Sequence, residues 1–207
     1  MLYFLNLKKF SHIEHGITQI TDAVPERVVT GEQVHKDKAI WIENDKKMLI
    51  PKIDAVLTKQ TGLTVGVRTA DCVPVLFVEP AMGVVGAIHA GWRGTALDIT
   101  RKTFDFLHVR PFRIVVGIGP AICPKCFAVG KEVARQFDPS VVQESEEQEG
   151  VFHVDLWQAN VLQCIEAGIP ERNIEVMRVC TVEDHSLYSF RRGDRIKRNI
   201  TFIRRTI

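Results

Sequence analysis

Short apolar runs follow one another along this chain with little sequence between them, and that spacing constrains the fold more than any other feature. The runs are Asp54–Thr58, Thr64–Arg68, Pro74–Val78, Val84–His89 and Arg113–Ile118. Each is rich in β-branched or other apolar residues and is bounded by Gly, Pro or Asp, as strands are. Ile174–Arg178 and Thr201–Arg204 carry the same pattern more sparsely. Several gaps are too short for a helical crossover between parallel strands. The chain therefore reads as α+β rather than doubly wound α/β.

Helical periodicity enters at three places. In Thr95–Leu107, Leu97, Thr100, Phe104 and Leu107 share one face, and Pro111 prevents continuation. From Asp155 to Ala167 a second helix is expected, with Asp155 as N-cap, Gly168 past its end and Pro170 as the stop. Lys131–Phe137 reads as a shorter third. Gln143–Gly150 reads as an acidic surface loop. With no repeat and no linker, residues 1–207 are expected to form a single domain.

Composition narrows the class. Apolar residues are 45% and charged residues 25%, the ordinary globular balance, and the net charge of +2 points to neither a nucleic acid nor a membrane partner. In MLYFLNLKKF the lysines follow the apolar run, and no cleavage site comes next, so the cytoplasm is the expected location. No apolar stretch nears the roughly 20 residues of a membrane helix. Five cysteines, an odd number, argue against a disulfide framework and for thiols that are buried, metal-bound or catalytic.

The densest chemistry lies in Thr69-Ala70-Asp71-Cys72 and His89-Ala90-Gly91-Trp92-Arg93-Gly94-Thr95. Cys72 precedes one strand-like run and His89 ends the next. If the two runs pair as a hairpin through Glu79–Gly83, Cys72 and His89 become neighbours. A neighbouring Cys and His allow either a thiolate nucleophile with a histidine base or a metal site. His35, in Glu32-Gln33-Val34-His35, is the candidate third ligand. Two His and one Cys would leave the fourth position of a zinc ion open to water, as catalytic sites require. A buried cysteine with unrelated histidines has the same signature, and spacing alone does not choose. Cys123-Pro124-Lys125-Cys126 is a lone CxxC, a redox pair or half of a zinc knuckle; with no second CxxC, a structural zinc is not expected there. His12 and His15 read as part of a polar loop.

Taken in order, Gln33-Val34-His35, Thr69–Phe77, His89–Thr95, Gly119-Pro120-Ala121-Ile122 with Phe127–Gly130, Cys180-Thr181 and Tyr188–Arg192 resemble the YfiH/YlmD family, also called the laccase-domain or multicopper polyphenol oxidase-like family. The resemblance implies a layered α/β/β/α arrangement with mixed sheets. It implies a metal, usually zinc with copper as the alternative, on His35, Cys72 and His89. It also implies phosphorolysis of adenosine, inosine and methylthioadenosine, with adenosine deamination, so purine nucleosides and phosphate are the expected small-molecule partners. Copper-dependent phenol oxidation and correction of peptidoglycan precursors have been attributed to the family too. The chain departs from the family pattern at Ser11–Gly16, where a Thr-Arg-x-Gly-Gly segment normally helps to form the substrate pocket.

Roles follow for the remaining candidates. Asp71, beside Cys72, is either the carboxylate that shuttles a proton in deamination or a turn cap. Arg93, Arg191 and Arg192 are candidates for bidentate phosphate contacts, and the segment from Gly91 leads into a helix N-terminus, which favours anions. For Arg191, Arg192, Arg195, Lys197 and Arg198 the alternative reading is a solvated basic face. Trp92 either stacks on a purine or packs on the sheet. The competing functions are a cysteine-type hydrolase of peptidoglycan precursors, with Cys72 as nucleophile and His89 as base, and a copper-dependent polyphenol oxidase.

Overall fold

A computed structural model describes residues 1–206. The N-terminal part runs α1 (Leu5–Lys8), β1 (Ile13–Ile17), β2 (Val28–Gly31), β3 (Ala39–Trp41), β4 (Leu49–Ile50) and β5 (Ala55–Thr58). The middle runs β6 (Thr64–Thr69), β7 (Val73–Glu79), β8 (Val84–Ala90), α2 (Trp92–Ala96), α3 (Ile99–Leu107) and β9 (Val115–Ile118). The C-terminal part runs β10 (Ala128–Gly130), α4 (Lys131–Ala134), β11 (Val142–Glu144), β12 (Val151–Val154), α5 (Leu156–Glu166), β13 (Ile174–Val176) and β14 (Asn199–Arg205). All seven expected strands form, with ends shifted by one to a few residues.

Two mixed sheets face each other. One has the order β13-β9-β7-β8-β5-β3 and the other β1-β14-β6-β2-β4; β10-β12-β11 form a small third sheet. The pairs β7–β8 and β5–β8 are antiparallel, while β3–β5, β2–β6, β2–β4 and β13–β9 are parallel. Alternation along β5, β7 and β8 sends side chains into two cores, as the period of two requires. Val56, Leu76, Val78, Val85 and Ala87 meet Val29, Val65, Val67 and Ile203 of the five-stranded sheet. Ala55, Leu57, Val75, Phe77 and Ile88 meet Ile99, Phe104, Leu156 and Val161 of the helices. Every position of β7 and β8 is buried, because both faces of these central strands are covered. From α1 and the residue before it, Leu7 and Phe4 reach into the core between the sheets, with Phe4 against Gly117.

Where the sequence expectation and the structure differ, the cause is local. The helix expected at Thr95–Leu107 begins earlier, at Trp92, and is broken at Asp98, whose φ of 61° is left-handed. Aspartate tolerates that conformation better than most residues. Leu97, at the break, is 45% exposed, while Thr100, Phe104 and Leu107 stay buried. α5 matches closely: Asp155 accepts a hydrogen bond from the Gln158 amide, and Gly168 has φ 87°. The helix expected at Lys131–Phe137 keeps only its first turn. In Gln143–Gly150, Gln143 and Glu144 are claimed by β11. His15 is not in a loop but buried in β1. Among the described residues, no helix is long and apolar enough to cross a membrane.

Candidate metal centre and pocket

The β7–β8 hairpin sets the centre. Its register pairs Pro74 with His89, so Cys72, just before β7, lies beside His89 near the end of β8. His35 arrives from the loop between β2 and β3. One carboxylate aligns both histidines. Asp54, just before β5, accepts hydrogen bonds from the His35 amide (2.9 Å) and the Lys36 amide (3.0 Å). It also accepts from His89 Nδ1 at 2.9 Å, and its own carbonyl accepts from the His89 amide. A carboxylate can only accept, so His89 carries a proton on Nδ1 and its Nε2 is left free.

His35, Cys72 and His89 offer three ligand atoms within 4.8 Å of one another, and the two rings meet edge to face at 4.8 Å. Gly91 completes the cradle. A Cβ there would lie 2.8 Å from His35 Cδ2, 3.0 Å from Cys72 Sγ and 3.5 Å from His89 Cε1. Burial alone pushes the Cys72 thiol up, but the charge of His89 and hydrogen bonds with both histidines outweigh it and bring it down to about 6. Burial pushes His89 down, and Cys72 and Asp54 raise it to about 9. Asp54, pushed up by burial, is held below the usual carboxylate range by His89 and the two amides. A thiolate and two aligned imidazoles form a donor set that fits a divalent transition-metal ion, with the exposed His35 side facing open space.

That open side is a pocket of about 660 Å³, within the range of small-molecule sites. Asp71, Cys72, His89, Trp92, Arg93 and Arg191 line it, together with Arg68, Arg198, Phe127 and Phe190. Four arginines and two acidic residues, Glu32 and Asp71, are thus among the lining. Both Asp71 oxygens are engaged: Oδ1 accepts from Thr181 Oγ1 at 2.7 Å and Oδ2 from the Arg191 amide at 2.6 Å. The Arg93 guanidinium lies over the Trp92 ring at 4.1 Å.

Arg192, grouped with Arg191 in the sequence reading, is not on the pocket wall. Its guanidinium donates to the carbonyls of Thr181, Val182, Asp184 and Leu187 and pairs with Asp194, so it organises its own loop. Arg198 does reach the pocket, although it read as solvated surface. α2 has only five residues, too few for much macrodipole, so anion affinity there rests on the arginines. Ser11–Gly16, where the chain departs from the family pattern, lies away from this pocket in and beside β1. Sequence reasoning missed Asp54, Arg68 and the bracing residue Gln33, whose side-chain amide exchanges hydrogen bonds with the Arg68 backbone. The one available signal for Asp54 was an acid immediately ahead of a fully apolar run.

Fold and site together define a mixed α/β protein with a three-residue His–Cys–His centre in a cationic pocket. The chain belongs to the laccase-domain family: the family model described as multi-copper polyphenol oxidoreductase laccase matches residues 11–206. Among its relatives is a purine nucleoside phosphorylase of Bacteroides thetaiotaomicron, 34% identical over 86% of this chain and 71% of the relative. The purine nucleoside phosphorylase YlmD of Geobacillus stearothermophilus is 36% identical over 82% of this chain and 68% of its own length. Its crystal structure superposes with a TM-score of 0.80, covering 88% of this chain and 74% of that one. Adenosine deaminase RL5, from an unknown prokaryotic organism, is 34% identical over 72% of this chain and 60% of its own.

Proposed function

We propose that this chain is a zinc-dependent purine nucleoside phosphorylase, acting on adenosine, inosine and methylthioadenosine, with adenosine deaminase activity in the same pocket, and that residues 1–207 form one cytoplasmic catalytic domain. The observation that carries the reading is the junction of the His35–Cys72–His89 centre with a pocket lined by both arginines and aromatic side chains. The names of the relatives support the substrate class. Zinc held by the two histidines and the thiolate supplies Lewis acidity at this end of the pocket.

Arg93 and Arg191 hold phosphate through paired N–H donors, while Arg68 and Arg198 add positive potential. Trp92, Phe127 and Phe190 offer apolar faces to the purine and exclude water around it. In phosphorolysis a phosphate oxygen bonds to C1′ as the C1′–N9 bond breaks, and the base leaves carrying a proton. In deamination water adds at C6 and ammonia leaves. Asp71, with both oxygens bonded, serves as a positioning residue for Cys72 and Arg191; proton shuttling would require Thr181 to release it.

The test is turnover of inosine and adenosine, with and without phosphate, on zinc-quantified protein before and after chelation. Phosphate-dependent release of free base that disappears with the metal is the expected result. Zinc-loaded protein that turns over neither nucleoside would end the purine reading. A second reading, a cysteine-type hydrolase of peptidoglycan precursors with Cys72 as nucleophile, draws on the thiol held at about 6. It requires full activity in metal-free protein and loss on alkylation. Copper-dependent phenol oxidation has less support, because the centre offers only two histidines.

A further inference from the structure

A second group of metal-ligating side chains lies behind the pocket wall. The backbone brings it together: Ala121 forms a parallel bridge with Cys180, the Ala121 amide donates to the Val179 carbonyl (3.2 Å), and the Thr181 amide donates to the Ala121 carbonyl (3.0 Å). This sets the tight turn Cys123-Pro124-Lys125-Cys126 against Cys180 and Glu183, more than fifty residues onward. The three Sγ atoms and a Glu183 carboxylate oxygen all lie within 4.8 Å of one another. Ligands on a tetrahedral zinc with Zn–S near 2.3 Å stand about 3.8 Å apart, so side-chain adjustment of about 1 Å closes the set.

A second observation is independent of that spacing. A backbone amide is aimed at one of the sulfurs: the Cys123 amide donates to Cys180 Sγ at 3.4 Å. Amide donors stabilise the thiolate, which is the ligating form. Cys164, buried alone in the apolar core, has no such company.

We propose that Cys123, Cys126, Cys180 and Glu183 form a second, structural metal site that takes zinc. Three soft sulfurs select zinc over hard cations, and a fourth protein ligand closes the coordination shell, as structural sites require. The ion clamps two segments that build the pocket. Ile122 and Phe127, on either side of the CxxC turn, line the pocket. The Cys126 carbonyl accepts from the Arg191 guanidinium at 2.7 Å, and Thr181, next to Cys180, holds Asp71. The sequence argument against a structural zinc assumed a second CxxC; the fold supplies a single cysteine and a glutamate instead. The proposal does not rest on the purine reading.

The experiment measures zinc by mass spectrometry in the full chain, loaded with Zn²⁺ under reducing conditions, alongside the thiols that react with an alkylating reagent. Wild type is expected to hold close to two equivalents and to protect Cys123, Cys126 and Cys180 until chelation. Cys126→Ser and His89→Ala are each expected to hold one equivalent. Glu183→Gln, at an exposed position, is expected to release one equivalent to a chelator at least tenfold more readily while the other is unchanged, which keeps the test open if Cys126→Ser fails to fold. One equivalent that disappears in His89→Ala, free alkylation of the three thiols in zinc-loaded protein, or a disulfide among them under these conditions would each overturn the proposal. One equivalent that survives His89→Ala but not Cys126→Ser would support this site and count against the first.

Discussion

Replacing Gly91 with alanine adds one methyl group at the point where His35, Cys72 and His89 converge. The backbone accepts it, because Gly91 has φ −67° and ψ 162°, open to any L-residue. The site does not. The new Cβ would stand 2.8 Å from His35 Cδ2 and 3.0 Å from Cys72 Sγ, whereas carbon atoms settle at about 3.5–4.0 Å. His35 would have to retreat by about 1 Å, and metal ligation tolerates displacements of only about 0.2 Å. Asp54 pins the His35 and Lys36 amides, so the loop cannot follow the displaced ring. Disturbing a group that merely supports a ligand costs roughly 10–100-fold in affinity. Displacing a ligand is expected to cost at least about 100-fold, or about 2.8 kcal/mol. Without metal the fold should hold, since Gly→Ala at a compatible backbone adds about 0.4–1 kcal/mol through the unfolded state. Chelator competition reads the zinc affinity, and thermal unfolding of metal-free protein reads the fold. Wild-type affinity in Gly91→Ala would refute the geometry of the centre.

Asp54→Asn keeps the shape but removes the charge that orients His89; zinc affinity should fall 10–100-fold, and in metal-free protein the His89 pKa should drop from about 9, followed by NMR. Unchanged values of both would remove Asp54 from the site. Arg191→Gln should raise the KM for phosphate at constant stability, whereas Arg192→Gln should cost about 1.5–3 kcal/mol of unfolding free energy, since only Arg192 spends its donors inside its own loop. The reverse pattern in kinetics and urea melts would exchange their roles. His15 accepts a hydrogen bond from the Phe4 amide, and burial holds its pKa below 6.5. The unfolded chain therefore takes up the proton first, so its contribution is intact above about pH 6.5 and is lost as pH falls toward the lowered native value. Urea melts between pH 8 and 5 should show that slope in wild type and a shallower one in His15→Gln; equal slopes would contradict the assignment.

The sequence by itself determined what is local. β5 to β9 and α5 were legible because apolar runs, a capping aspartate and a terminating glycine act within a few residues. The closeness of Cys72 and His89 was legible for the same reason, since a short turn dictates the hairpin register. β4, two residues long, takes its identity from Thr30 and Gly31 across the sheet, and no run of its own announces it.

Tertiary structure alone decided the rest. Arg191 and Arg192 are chemically identical neighbours, yet the turn from Ser189 to Asp194 sets one on the pocket wall, where it donates to the Cys126 carbonyl, and spends the other inside its own loop. Asp54 became the support of both histidines because β5 pairs with β8. Cys180 joined Cys123 and Cys126 because residue 121 bridges residue 180. Contacts of this kind depend on which distant backbones share hydrogen bonds, and a linear pattern of residue types carries no record of that pairing.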